Sequence, residues 1–180
     1  EKHFGGWQRR EDALPPIPEV EPQGTPGIYV LEREFDQATV MMGHLGPPRF
    51  TPDIYEMNIY NRILGSSGFG SRLFDEIRTQ LGLAYDVDAG ISPGVVAGMF
   101  QLYLGTRNDE VMNAMKKSLE IMRDTLQNPP KESNFSDAKS AVERSFIFRF
   151  EGDRAVVQRA AVQELLKYPE DYDRNYLERV

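Results

Sequence analysis

The sequence predicts an α+β domain in which a mixed, largely antiparallel sheet carries helices packed on one face. Three observations predict it: short apolar runs of strand length come first, two of them meet around a Ser-Pro-Gly turn, and the C-terminal half has helical periodicity throughout. The chain has 180 residues, 40% hydrophobic and 27% charged, enough for one domain with a real core. No stretch approaches the roughly 18 apolar residues that a spanning helix requires, so no membrane span is expected. The net charge of -7 disfavours nucleic acid and anionic lipid as partners and suits a basic or neutral peptide. With no cysteine and only His3 and His44 as imidazoles, the sequence offers no thiolate nucleophile, no disulfide and no self-contained catalytic zinc site. Absence of cysteine suits either side of a membrane, so the compartment stays open.

Five of the 12 prolines fall between Pro15 and Pro26, which reads as an extended linker, with residues 1–26 as the tail of a preceding domain and the globular part over 27–180. The start without Met and the abrupt end at Val180 read as a piece of a longer chain, truncated at its C-terminus. Residues 27–34 read as a strand and residues 38–45, nearly all apolar, as a central one. Gly46-Pro-Pro48 stops it. Thr51 and Pro52 open a helix whose apolar face is Ile54, Met57, Tyr60 and Ile63 or Leu64, with Gly65 as its stop. After a Gly/Ser loop, a short helix over 71–81 ends at Gly82. Strands over 84–91 and 98–106 form a hairpin. Asn108-Asp109-Glu110 caps a helix with Val111, Met115, Leu119, Met122 and Leu126 at helical spacing, stopped by Pro129-Pro130. Helices over 134–150, 153–167 and 171–180 complete the chain. Met41, Met42, Met112, Met115 and Met122 read as core filling.

Read from the residues alone, most candidate chemistry is ordinary. Gly65-Ser-Ser-Gly-Phe-Gly70 precedes a helix N-terminus, where anions are favoured, but it lacks the Lys-Ser/Thr ending of a phosphate loop and joins two helices. A helix connection with a Ser71 cap explains it better, and no histidine is near to activate a serine. His44 on an apolar strand reads as a hydrogen-bonded core residue. Arg78 reads as a surface arginine within reach of Asp75, and Tyr85 as a half-buried strand residue.

The segment Gly68-Phe-Gly-Ser-Arg-Leu-Phe-Asp-Glu-Ile-Arg78, followed by Gly82-Leu-Ala-Tyr85, changes that balance. It resembles the short motif of the non-zinc half of the pitrilysin and insulinase type metallopeptidases, which include the mitochondrial processing peptidase. There a Ser-Arg-Leu-Phe helix leads to an Arg, then to Gly-Leu-Ala-Tyr, at the spacing that Arg78 and Tyr85 keep. Phe4-Gly-Gly-Trp7 before the prolines, the strand at 38–44, the helix at Thr51-Pro52 and the Tyr168-Pro-Glu-Asp-Tyr172 turn resemble that domain too, so the likeness covers essentially the whole chain.

The resemblance implies a pitrilysin-like fold and a division of labour. The catalytic zinc sits in a homologous partner domain, on the same parent chain or on a partner subunit, held by a His-x-x-Glu-His motif that this sequence lacks. Arg78 and Tyr85 would act in trans on the scissile carbonyl of an unfolded peptide, where preorganised donors stabilise growing negative charge. Gly68, Gly70 and Ser71 would help admit the peptide. This chain alone is then expected to bind no metal and to hydrolyse nothing. Two alternatives stay open: a non-catalytic assembly domain of the same fold, and a small-ligand module using the Gly/Ser loop.

Overall fold

The computed structural model describes residues 3, 5–8, 15–20 and 25–180. Three strands make an antiparallel sheet in the order β1-β3-β2: β1 (Gln37–Gly46), β2 (Ala84–Ser92) and β3 (Gly98–Arg107). The expected hairpin is β2-β3, and the fold class is α+β as the sequence predicted. The period-2 pattern of β3 decides the layering: Leu102, Leu104 and Thr106 are buried, while Gln101, Tyr103 and Gly105 point to the other face.

One face carries the core. Leu102 and Leu104 of β3 and Val87 and Ala89 of β2 pack against Leu64, Leu73, Phe74 and Ile77, and against Ala114 and Ile121 of α2 (Val111–Gln127). Each fully buried Leu or Ile here contributes on the order of 1.5–3 kcal/mol. Behind that layer lies a second cluster. Ile59 of α1 (Ile54–Asn61), Ile63, Ala138 and Val142 of α3 (Glu132–Phe146), and Tyr176 of α5 (Tyr176–Arg179) meet there. The helix α4 (Asp153–Leu166) buries none of its residues, and Lys167 ends it in the left-handed conformation at φ 56°.

Gly65 corrects the sequence reading. It does not stop α1; it lies inside a π-helical turn, Arg62–Ser66, that continues α1 and rests on β2. A Cβ at position 65 would stand 2.5 Å from the Ala89 backbone nitrogen, so glycine is required for close approach. Beside it, the Asn61 side chain acts as a missing neighbour strand: Nδ2 donates to the Ile91 carbonyl and Oδ1 accepts from the Ile91 N–H, both at 2.8 Å. The β2 edge is thereby capped at Ile91. The short helix expected over 71–81 opens at Arg72 and Leu73 in α geometry and continues as a π-helical run, Phe74–Gln80, ended by Gly82 at φ 59°.

Residues 27–34 are the largest departure. They form no strand, and Ile28, Tyr29, Val30 and Leu31 all stand exposed. Their apolar side chains fall on both faces of an extended chain. Such a strand needs pairing with a neighbour and cover on both sides, and this segment makes no ladder with the described strands and stays exposed. The expected linker over 1–26 lies partly outside the described residues, Phe4 included; residues 5–8 and 15–20 are exposed. Two of the expected core methionines, Met41 and Met112, are exposed, whereas Met42 and Met122 pack on the core. The expected helix over 171–180 is a run of turns with only α5 helical. The helix expected over 134–150 closes in a 3-10 turn, Ile147–Phe150.

Candidate functional site

The face of the sheet opposite the core is open. The register places Tyr85 there by a local irregularity: Ala84 pairs with Thr106 and Asp86 with Gly105, so Tyr85 is the extra residue of a β-bulge. Bulges re-aim a side chain, and this one lays the phenol across β3. A Cβ on Gly105 would stand 2.4 Å from the Tyr85 Cζ, so the ring occupies space that only a glycine leaves. Tyr85 remains 49% exposed. Hydrogen bonding to the Tyr103 phenol, with a further charge effect from it, raises the Tyr85 hydroxyl above the ordinary tyrosine value. Tyr85 therefore keeps its proton, and can donate it in a hydrogen bond, throughout the neutral range.

Arg78 sits on the last turn of the π-helical run, just before the Gly82 reversal. Its guanidinium lies over the Phe74 ring at 4.7 Å and the Phe69 ring at 5.8 Å, and those two rings are 4.5 Å apart. Stacking holds the plane of the guanidinium and leaves N–H groups at its rim. No carboxylate among the described residues pairs with it; Asp75 instead accepts from the Gly70 N–H at 3.3 Å. The run itself is fastened by Arg72, which reaches Glu76 at 3.2 Å and Asp124 of α2 at 2.6 Å.

The loop before the run is shaped by two left-handed glycines, Gly68 at φ 65° and Gly70 at φ 88°. Ser71 is fully buried and donates its hydroxyl to the Gly68 carbonyl at 2.7 Å, fixing the loop from beneath. Phe69 at the tip is 80% exposed. Thus Gly68, Gly70, Ser71 and Arg78 form one local group, through Phe69 and Phe74, while Tyr85 belongs to a second group with Tyr103 and Gly105 on the sheet. Tyr103 and Gly105 escaped the sequence reading, since nothing in a linear string announces which residue a bulge will place over which.

His44 is on the exposed part of β1, donating from Nδ1 to the Leu45 carbonyl at 2.8 Å and stacking on Phe100 at 5.2 Å. Among the described residues, no three His, Cys, Asp or Glu side chains come together as metal ligands, and no helix is long and apolar enough to cross a membrane.

Fold and site together define an α+β domain with a helix-backed antiparallel sheet, whose open face presents a phenol. The profile of the peptidase M16 inactive domain matches residues 1–142, and the chain belongs to that family of zinc-protease domains. An uncharacterized zinc protease of Streptomyces coelicolor is 28% identical over 138 residues, covering 77% of this chain and 30% of that protein. Another, from Bacillus subtilis, is 26% identical over 135 residues, covering 75% and 33%. The chain thus spans about a third of the length of the curated relatives it matches. Among solved structures, the peptidase M16 inactive domain from Pseudomonas fluorescens superposes with a TM-score of 0.73 at 28% identity, over 79% of this chain and 34% of that one. An inactive peptidase domain from Bordetella parapertussis shares the fold, with a TM-score of 0.64 at 15% identity over 83% and 80%.

Proposed function

We propose that this chain is the substrate-binding half of a zinc endopeptidase, acting across a chamber from a homologous domain that carries the metal, with residues 27–180 as the working domain and 1–26 as its tether. The observation that supports this best is the bulge that turns the Tyr85 phenol out onto an open sheet face, protonated and with its partners fixed. In this reading zinc in the partner domain supplies an activated water. Tyr85 then donates a hydrogen bond to the substrate carbonyl oxygen as negative charge develops there. Arg78, held flat by Phe74 and Phe69, presents its N–H rim to a second backbone carbonyl and keeps the peptide in register. The Gly68 to Gly70 loop, pinned by Ser71, offers the peptide backbone groups at its two glycines and the exposed Phe69 ring at its tip.

An unfolded peptide suits such a site, since an extended chain can add to a sheet edge through backbone hydrogen bonds. Among the described strands β1 pairs only with β3, which leaves its outer edge unpaired. A second reading, an assembly domain without a catalytic part, draws on the exposed Ile28, Tyr29, Val30 and Leu31, an apolar row suited to burial against another chain.

The test is reconstitution. A fluorogenic unstructured peptide is offered to this chain, to the zinc-bearing domain of its parent protein, and to the two together, with zinc measured in each. The proposal expects turnover only from the mixture and zinc only in the partner. Hydrolysis by the partner alone at the mixture's rate would leave the assembly reading.

A further inference from the structure

Away from the open sheet face, arginines gather where the net negative chain has little reason to collect them. A cavity of about 470 Å³ lies between α4, the 3-10 turn Ile147–Phe150 and the Tyr168 to Tyr172 turn, and Arg49, Arg149 and Arg159 all line it. Its size is that of an ordinary small-molecule site, for which about 300–1,000 Å³ is typical.

The three guanidiniums are not equivalent. Arg159 is engaged by the Asp173 carboxylate through both Nε, at 2.6 Å, and a terminal nitrogen. Arg49 and Arg149 have no carboxylate partner among the described residues. Arg49 donates to the Tyr168 hydroxyl at 3.0 Å, and its Nε is buried with no hydrogen-bond acceptor. Arg149 donates to the Tyr176 hydroxyl at 2.8 Å and lies 4.1 Å over that ring. Arg49 Nε is a buried donor without an acceptor, and Arg149 feels only the charge of Asp173, a carboxylate that Arg159 and Gln163 already engage, so an anion in the cavity would add a counter-charge for Arg49 and Arg149. Tyr168 and Tyr172, which meet edge to face at 4.7 Å, form an aromatic part of the remaining wall, beside Gln158 and Gln163. Guanidinium forks recognise carboxylate and phosphate, and phenol rings take a flat apolar body.

We propose that this cavity binds a small organic anion in which a flat ring bears a carboxylate or a phosphate, its charge meeting Arg49 and Arg149 and its ring lying against Tyr168 and Tyr172. None of these residues belongs to the Arg78 and Tyr85 site, so the two proposals stand or fall separately.

Calorimetric titration of the full chain with phenyl phosphate, benzoate, benzamide and inorganic phosphate tests it. Phenyl phosphate or benzoate is expected to saturate with a Kd of about 1 mM or below, benzamide not to bind, and inorganic phosphate to bind at least about tenfold more weakly than phenyl phosphate. The tighter of the two anionic rings identifies the anionic group. Arg49→Gln should weaken binding about tenfold or more, and so should Gln158→Glu, which adds a carboxylate at an exposed position of the cavity wall and leaves the core untouched. No saturation by either anionic ring up to about 10 mM, or equal binding by both variants and the unaltered chain, overturns the proposal. Inorganic phosphate binding as tightly as phenyl phosphate overturns it as well, since the aromatic wall would then contribute nothing.

Discussion

At position 105 a single hydrogen stands where any other residue has a Cβ, and the Tyr85 ring fills that space. In Gly105→Ala the new methyl group would lie 2.4 Å from the Tyr85 Cζ, and the phenol, free on its outer side, would swing away. Alanine also gains about 0.5–1 kcal/mol over glycine in a strand, so the thermal midpoint should barely move. Peptide turnover with the zinc-bearing partner should nonetheless fall by about tenfold or more, because a displaced donor loses its aim at the developing charge. Calorimetry and hydrolysis on the same sample check both halves. Arg78 and Tyr85 were legible in the sequence because they belong to one short string of distinctive residues. Gly105 and Tyr103 were not, because their role depends on strand register, and a bulge shifts register by a residue with no local sign.

The π-helical turn Arg62–Ser66 rests against β2, the strand that carries Tyr85. At Gly65 a new Cβ would meet the Ala89 nitrogen at 2.5 Å and its carbonyl oxygen at 2.9 Å, atoms of a paired strand that cannot rotate aside. Gly65→Ala is therefore expected to cost about 2 kcal/mol or more, read as a lowered urea midpoint with an unchanged slope. Asn61→Ala leaves the Ile91 N–H and C=O without their side-chain partner and should cost about 1–2 kcal/mol in the same experiment. The helix, the hairpin and the stop at Gly82 were readable from apolar spacing and glycine placement. The widening to π geometry was not, nor was the reason for Gly65, a reason that lies in a strand some twenty-five residues further on. The exposed run at 28–31 has strand composition without strand structure, because composition sets only a preference and pairing needs a partner.

Across the whole molecule, the α+β class and the order of most elements followed from periodicity, whereas the arginine-lined cavity did not, because Arg49 and Arg149 lie far apart in the chain and meet only in the fold. The same region sets a pH signature. Burial pushes the Tyr172 hydroxyl up to about 12, with Tyr55, Tyr168 and Tyr176 adding to it. The folded state thus favours the neutral phenol. Its contribution is complete below the unfolded tyrosine value of about 10 and is lost as pH rises through about 12. Asp173 works in the opposite direction. Hydrogen bonding from Arg159 lowers its carboxyl, so its stabilisation is present above about pH 3.9 and lost as pH falls through the lower folded value. Urea midpoints of Tyr172→Phe should decline less between about pH 10 and 12 than those of the unaltered chain, while keeping the acid part.

The central claim is that this domain contributes chemistry to a zinc site it does not hold. The most direct measurement is peptide turnover by the reconstituted pair, or by the parent protein, carrying Arg78→Ala or Tyr85→Phe, with folding checked by circular dichroism and zinc content by metal analysis. A fall of roughly 100-fold in kcat is expected for Tyr85→Phe, the size of one lost transition-state donor, with zinc retained. For Arg78→Ala the expected loss is concentrated in kcat/KM. Unchanged turnover in both variants, folded and zinc-loaded, would contradict that claim and leave the domain a structural wall of the chamber.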